Sequence, residues 1–156
     1  MEQWRLQRLT EKQNIDPAEV RELPESDVQA LRSRLCGCLG LKPSVDGLTL
    51  VKELQRRRRA IDECNAQVDG FDLLTCFARA GVMPAEHVYL NWYRFDRVDE
   101  VGFDLFRRCL DDFYYPAADD LDILDSHLTW VVSIDHDGCL WVVDLTNRTP
   151  VDPNDT

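Results

Sequence analysis

The stretch "LTWVVSIDHDGCLWVVDL", Leu128 to Leu145, decides the fold class of this 156-residue chain. Apolar residues recur at every second position on both sides of the tetrapeptide "DHDG", a period typical of half-buried strands. Aspartate and glycine are the residues that a tight bend requires. The stretch therefore predicts an antiparallel β-hairpin. In each strand one alternating set shares a face: Leu128, Trp130, Val132 and Ile134 in the first strand, and Cys139, Trp141, Val143 and Leu145 in the second.

The residues upstream of the hairpin are predicted to be helical as far as about residue 82. Asp16 and Pro17 have the composition of a helix start, an N-cap followed by a first-turn proline. Residues 24–41 carry apolar side chains one or two turns apart and glycines near their end, which favours a second helix. A longer series of apolar residues, at spacings of three, four and seven positions, predicts a third helix from about Asp46. Its members are Leu50, Leu54, Ile61, Cys64 and Val68.

A short helix over residues 71–81 closes at Gly81, and the pattern then changes. "HVYLNWYRF", residues 87–95, is rich in aromatic and β-branched side chains, which predicts a strand. "VGFDLFRRCLDDF", residues 101–113, has apolar side chains at helical spacing, so a helix is expected between this strand and the hairpin.

These segments together predict an α+β fold. An N-terminal helical layer is expected to pack on a small antiparallel β-sheet of at least three strands, which ends in the β-hairpin. We expect a single domain, residues 1–156, with a helical subregion over about 1–82 and a sheet subregion over about 83–146. The polar tail, residues 147–156, is expected to be loose.

The overall composition predicts a protein of the cytoplasm. No apolar run approaches the length of about 20 residues that a membrane span needs, and the N-terminus carries charges where a signal peptide would be apolar. The six cysteines are therefore expected to be reduced thiols. Cys64, Cys76, Cys109 and Cys139 lie in apolar patterns, as small hydrophobic residues would.

The net charge of −11 lies entirely in the C-terminal part of the chain. Residues 1–85 carry 13 basic and 13 acidic side chains, whereas residues 86–156 carry 5 and 16. Such an acidic half repels nucleic acids and membranes and favours encounters with basic proteins. The run "RRRR", Arg56–Arg59, would wrap around a helix over about 300° rather than form a stripe, which favours a solvated helix over a nucleic-acid site.

Two motifs have the residue types of a catalytic or metal site but not the required spacing. "VVSIDHDGCL", residues 131–140, resembles the first motif of haloacid-dehalogenase phosphatases, which would make Asp135 a nucleophile and Asp137 a general acid. That family needs a downstream lysine, and the last lysine here is Lys52, so a tight turn is favoured. A calcium loop beginning at Asp120 fails because Leu124 stands at a ligand position. No metal site and no cofactor are predicted.

The segment "YYPAADDLDILD", Tyr114 to Asp125, is the strongest candidate for a functional surface. One aspartate would suffice to cap a helical turn, so the surplus carboxylates require another explanation. Aromatic side chains among carboxylates at a sheet edge suit the binding of a basic protein, since the rings anchor and the charge steers association. The predicted partner-binding residues are Asp119, Asp120, Asp122, Asp125, Tyr114, Tyr115, Trp130 and Trp141.

In its size, its acidity and its tryptophan-bearing hairpin preceded by an aspartate run, the chain resembles the small acidic immunity proteins of the bacterial Smi1/Knr4-like group. The resemblance implies a non-enzymatic inhibitor that covers the basic active cleft of a toxin. Its electrostatic contacts would be Asp119, Asp120, Asp122 and Asp125. Two alternatives stay open: a metal-assisted hydrolase that combines the same aspartates with Asp135 and Asp137, and a structural subunit of a larger assembly. The sequence leaves the oligomeric state open.

Overall fold

Seven antiparallel strands form one open sheet in the computed structural model, which describes residues 1–92 and 94–146. The strands are β1 Val20–Glu22, β2 Arg59–Asn65, β3 His87–Asn91, β4 Asp99–Gly102, β5 Leu121–Asp125, β6 Trp130–Ile134 and β7 Cys139–Asp144. Their order across the sheet is β1-β4-β3-β5-β6-β7-β2. The α-helices are α1 Gln3–Gln13, α2 Glu25–Leu39, α3 Gly47–Arg57, α4 Leu73–Ala80, α5 Phe103–Arg108 and α6 Leu110–Phe113. The predicted α+β class is confirmed, and the predicted loose tail lies outside the described residues.

The predicted hairpin is confirmed as β6 and β7, joined through residues 135–138. Gly138 has a φ of 80°, and a Cβ at this position would lie 2.5 Å from Oδ1 of Asn65, so the bend needs glycine for two reasons. Directly opposed residues of an antiparallel pair share a face, and Ile134 stands opposite Leu140. Within β6 and β7, the two alternating sets of the sequence pattern therefore point to opposite faces of the sheet. The prediction is wrong for Leu128, which precedes β6 with a φ of 55° and is buried together with Val143 and Leu145.

Helices cover both faces of this sheet. One core includes Leu9, Phe77, Phe106 and Phe113, from α1, α4, α5 and α6, packed with side chains such as Ile123 and Val132. A second core contains Leu35 of α2 and Leu50 of α3, with Leu124, Val131 and Val143 from the other face. Because successive strand residues point to opposite faces, the central strands are apolar on both. Among the described residues, no helix has the length and apolar character that a membrane crossing requires.

The long helix predicted from Asp46 is wrong beyond Arg57. Arg58 has extended dihedral angles, and strand β2 follows at the edge of the sheet. The register shifts within β2 between Ala60 and Asn65, so Ile61 and Cys64 are both buried in one core although they are three residues apart. A strand irregularity thus imitates helical spacing. The four consecutive arginines consequently span a helix end, a bend and a strand start.

The predicted helix start at Asp16 leads to only one turn of 3-10 helix, Pro17–Glu19. The Asp16 side chain caps that turn, but Val20 then pairs with Val101 of β4. Tertiary pairing has overridden the local helix signal. The predicted helical subregion therefore supplies both edge strands of the sheet, β1 and β2.

The segment from Tyr114 to Asp125 is more ordered than the predicted turn. Its second half is β5, a central strand between β3 and β6. Leu121 and Ile123 belong to one core and Leu124 to the other. The expected helix before this segment is present, but it is divided at Cys109 into α5 and α6.

The expectation that all six cysteines are reduced is wrong for one pair. Cys64 of β2 and Cys76 of α4 are joined by a disulfide, with their Cα atoms 5.8 Å apart. The pair ties the irregular edge strand to the helix that packs beside it. Cys36, Cys38, Cys109 and Cys139 are free thiols. Burial raises the pKa of the Cys36 and Cys109 thiols, which makes both less reactive.

Candidate binding cleft

A row of polar and aromatic side chains crosses the sheet on the face that carries α2 and α3. Asn91, Asp122, Ser133 and Trp141 stand directly opposite one another on β3, β5, β6 and β7. The adjoining row lies in the second core and consists of Tyr89, Leu124, Val131 and Val143. The sheet thus changes from apolar to polar at the point where the helical cover ends.

This boundary forms a cleft of about 520 Å³. Its floor includes Asp122 and Ser133, and one wall consists of apolar residues of α3, Leu48, Val51 and Leu54. The remaining lining residues that matter here are Trp92, Arg94, Asp96, Asp120, Asp135 and Arg58. A volume of this size, with one apolar wall and a few polar groups, is typical of ligand-binding pockets.

The start of α3 is held against the opposite side of the cleft by a glycine. A Cβ at Gly47 would lie 2.1 Å from the carbonyl oxygen of Arg94, so only glycine permits the backbones to approach so closely. The preceding Asp46 caps the helix by accepting a hydrogen bond of 2.9 Å from the Thr49 backbone N–H. Hydrogen bonds from Thr49 hold the pKa of Asp46 below its usual value. The cleft is therefore shaped by the fold itself.

Asp122 is the carboxylate on the cleft floor. Ser133 Oγ donates to its Oδ1 at 2.7 Å, and Asn91 Nδ2 donates to its Oδ2 at 2.9 Å. Burial of the carboxyl group raises its pKa, and these two hydrogen bonds oppose the rise. Within the part of the chain that the structure describes, Asp122 forms no ion pair. Its two hydrogen bonds therefore come from neutral donors, and the charge of Arg58 adds a smaller stabilising effect.

Arg58 lines one flank of the cleft and lies over Trp141 beside it. The guanidinium carbon of Arg58 lies 4.0 Å from the centroid of the Trp141 ring, which is the geometry of a cation–π contact. The indole Nε1 of Trp141 donates to Asp135 Oδ2 at 2.7 Å. Asp135 Oδ1 accepts from the backbone N–H groups of Asp137 and Cys139. Both oxygens of Asp135 are thus engaged in shaping the hairpin bend, as the tight-turn interpretation predicts.

His136 lies between two carboxylates at the mouth of the cleft. Its Nδ1 is 3.1 Å from Asp120 Oδ1, and its Nε2 is 3.7 Å from Asp137 Oδ2. The hydrogen bond with Asp120, followed by the charges of Asp137 and Asp120, raises the pKa of His136 above 6.5. When it is protonated, the imidazole forms ion pairs that link the hairpin bend to the segment before β5.

Replacing Asp120 by asparagine is expected to lower the pKa of His136 toward 6.5, because the largest cause of its rise is removed. Since the folded-state pKa is raised, the protonated ring stabilises the fold at pH values below 6.5. That contribution is lost as the pH rises through the folded-state pKa. NMR titration of the His136 ring in both proteins measures the shift. A titration that is unchanged in Asp120→Asn would contradict the assignment, and Asp104→Asn on α5 is the matched control.

Four of the eight predicted partner-binding residues are buried within the fold. Asp119 pairs with Arg5 of α1, at 2.6 and 2.8 Å. The Asp125 carboxylate accepts from the backbone N–H groups of residues 129 and 130 and from the Thr129 hydroxyl. Tyr114 donates its hydroxyl to the Asp135 carbonyl oxygen, and Trp130 packs edge-on against Phe77. These side chains stabilise the fold and have no free surface for electrostatic contacts or aromatic anchoring.

The other four predicted residues reach the surface, but not as one patch. Asp120 and Asp122 line the cleft, and Trp141 lies under Arg58 beside it. Tyr115 is half-buried against α1 instead, with its ring 5.8 Å from that of Trp4 and 4.7 Å from the Arg5 guanidinium. The structure thus brings together three of the predicted residues and separates the fourth.

Sequence reasoning missed Ser133, Asn91 and Arg58. A signal was present for the first two, because each is a polar residue in a strand of apolar residues, "WVVSI" and "VYLNW". Arg58 lay within the arginine run that was assigned to a helix surface. Over residues 1–92 and 94–146, no group of three or more histidine, cysteine, aspartate or glutamate side chains is placed to hold a metal ion.

Comparisons with known proteins add no further assignment. No protein-family model, no curated protein and no solved structure matches this chain. The cleft is therefore interpreted from its own residues.

Proposed function

We propose that this protein is a non-enzymatic binding module that receives a basic surface of another protein at the acidic mouth of the cleft. The observation that carries the proposal is the exposure of three carboxylates there. The side chains of Asp96, Asp120 and Asp137 are 70%, 66% and 79% exposed. Asp96 and Asp120 line the cleft, and Asp137 adjoins Asp120 through His136.

The charge of the whole chain supports the same partner class. A net charge of −11 attracts a basic protein from a distance and orients it toward the most negative surface. Exposed carboxylates contribute more to the association rate and to partner choice than to the final affinity. The module is therefore expected to associate rapidly at low salt and more slowly as salt screens its field.

The resemblance to acidic immunity proteins supports a finer proposal, in which the partner is a toxin with a basic active cleft. The exposed contacts would then be Asp120 and the aspartates beside it. Asp119 and Asp125 would act indirectly, by holding the segment in place from within the fold.

The alternative of a metal-assisted hydrolase gains no support from the geometry. Both carboxylate oxygens of Asp135 accept hydrogen bonds at the hairpin bend. Among the described residues, no three histidine, cysteine, aspartate or glutamate side chains are placed to hold a metal ion together. One function is therefore proposed.

The test compares three versions of the protein as bait in lysates of its source cells. The rim variant carries Asp96→Asn, Asp120→Asn and Asp137→Asn. The control variant carries Glu86→Gln, Asp104→Asn and Asp111→Asn, three exposed carboxylates that do not line the cleft and whose removal changes the net charge equally. A protein of basic isoelectric point is expected to bind the wild type and the control variant but not the rim variant.

The captured protein is then purified, and its association rate is measured at about 50 mM and about 500 mM salt. The rate is expected to fall roughly tenfold or more, because screening removes long-range attraction. Equal loss of binding in the rim and control variants would show a non-specific charge effect. That result, or the absence of any basic protein whose capture depends on the rim, would overturn the proposal.

A further inference from the structure

We infer that the cleft accepts a lysine or arginine side chain of the partner, with the cationic head on Asp122 and the aliphatic stem along α3. This inference rests on the proposed function, because it names the group that the partner inserts at the same site. It goes beyond the acidic rim, because it assigns a role to the cleft floor.

The floor has an incompletely satisfied anionic acceptor. A carboxylate offers about four acceptor positions on its two oxygens. From the described residues, Asp122 receives one hydrogen bond on each oxygen, donated by Ser133 and Asn91, and both donors are neutral. A partly buried charge of this kind is stabilised strongly by a cation that also donates hydrogen bonds. An incoming ammonium or guanidinium group supplies both.

The wall matches the rest of such a side chain. Lysine and arginine bury their methylene stems on apolar surface while the charged head contacts polar groups. Leu48, Val51 and Leu54 form an apolar side of the cleft beside the Asp122 floor, and Leu48 is exposed enough to be reached from solution. The volume of about 520 Å³ exceeds what a single basic side chain requires.

The charges that line the cleft favour a cation over an anion. Four carboxylates line it, Asp96, Asp120, Asp122 and Asp135, against the two guanidinium groups of Arg58 and Arg94. The Arg58 group lies over the Trp141 ring, which stabilises its charge at the flank. An anionic ligand would meet the Asp122 carboxylate on the floor, so its binding is the outcome that contradicts the inference.

The experiment uses capped amino acids as probes of the isotope-labelled full chain by NMR. N-acetyl-arginine amide and N-acetyl-lysine amide are expected to shift the backbone resonances of Asp122, Ser133 and Val51, with a Kd on the order of 1 mM. N-acetyl-citrulline amide has nearly the shape of the arginine probe without its charge, and N-acetyl-glutamate amide carries the opposite charge. Neither of these two is expected to shift the same resonances.

Asp122→Asn is expected to weaken binding of the arginine probe roughly tenfold or more, because the charge-assisted contact is lost. Asp104→Asn on α5 removes the same charge elsewhere and is expected to leave the affinity unchanged. A second readout needs no variant. The Asp122 side-chain carbon is titrated in the wild type, and its pKa is expected to fall when the arginine probe is present.

The outcomes separate this inference from the proposed function. The inference would be overturned if the glutamate probe bound in preference to the arginine probe. It would also be overturned if no basic probe changed the cleft resonances or the titration of Asp122. Capture of a basic partner through Asp96, Asp120 and Asp137 would stand in either case. A third outcome is that no basic protein is captured while the arginine probe still binds specifically. The cleft would then be a site for a free basic ligand, and the inference that it accepts a side chain of a partner protein would be overturned.

Discussion

Replacing Asp119 by asparagine is expected to lower the free energy of unfolding by about 3 kcal/mol, because the buried Arg5 charge would keep only the more exposed Glu2, 3.2 Å away, as an ion-pair partner. The side chains of Arg5 and Asp119 are only 10% and 7% exposed. Two hydrogen bonds join them, and Asp119 also accepts from the Tyr115 backbone N–H at 2.8 Å. The hydrogen bond to Asp119 is the largest of the effects that raise the pKa of Arg5 above its usual value.

Urea denaturation of the wild type and of Asp119→Asn measures this loss. The neighbouring Asp120→Asn is the matched control, because the Asp120 side chain is exposed and its removal is expected to change stability by less than about 0.5 kcal/mol. The double variant Arg5→Met, Asp119→Asn is expected to be more stable than the sum of the single losses predicts, since the two residues interact directly. A stability of Asp119→Asn equal to that of Asp120→Asn would contradict the buried ion pair.

Reduction of the disulfide between Cys64 and Cys76 is expected to lower the free energy of unfolding by about 3 kcal/mol, as the chain-entropy model gives for a loop of this length. The two cysteines are separated by 12 positions, and the loop between them leads from the edge strand β2 into α4. Denaturation with and without a non-thiol reductant measures the change. Cys64→Ala, Cys76→Ala provides the control, because its stability must not respond to the reductant.

A titration of free thiols provides an independent check. Unfolded without reductant, the protein should show four reactive thiols, those of Cys36, Cys38, Cys109 and Cys139. Six thiols, together with a stability that reductant does not change, would mean that the bond is not formed.

The elements predicted correctly are those whose signals are local. The hairpin carries its own alternation and its own bend residues, and α2 and α4 carry their own periodicity and end signals. The failures are elements that depend on distant partners. Val20 forms a strand because Val101 is available 81 positions later, and nothing near Val20 in the sequence indicates this pairing. The bulge in β2 produced a helical spacing by accident, which periodicity alone cannot distinguish from a helix.

The candidate site was predictable in its segment but not in its geometry. The surplus of aspartates pointed to a segment that contains Asp120 and Asp122, and both residues line the cleft. The composition could not show that Asp119 turns inward to Arg5, because that contact joins residues 114 positions apart. Alternation along β5 separates the aspartates of this stretch by face, and only a known register reveals which face is covered.

The two edge strands carry a consequence for biosynthesis. β1 pairs with β4, and β2 pairs with β7, so neither N-terminal strand has its hydrogen-bonding neighbour within the first 65 residues. A nascent chain emerging from the ribosome must hold the segment of β2 unpaired until residue 144 has been made. Loop closure over such distances is slow and leaves strand edges open meanwhile. Among the described strands, β7 is synthesised last, and it completes the sheet. A truncated chain that lacks β7 leaves β6 open on one side and β2 without its neighbouring strand.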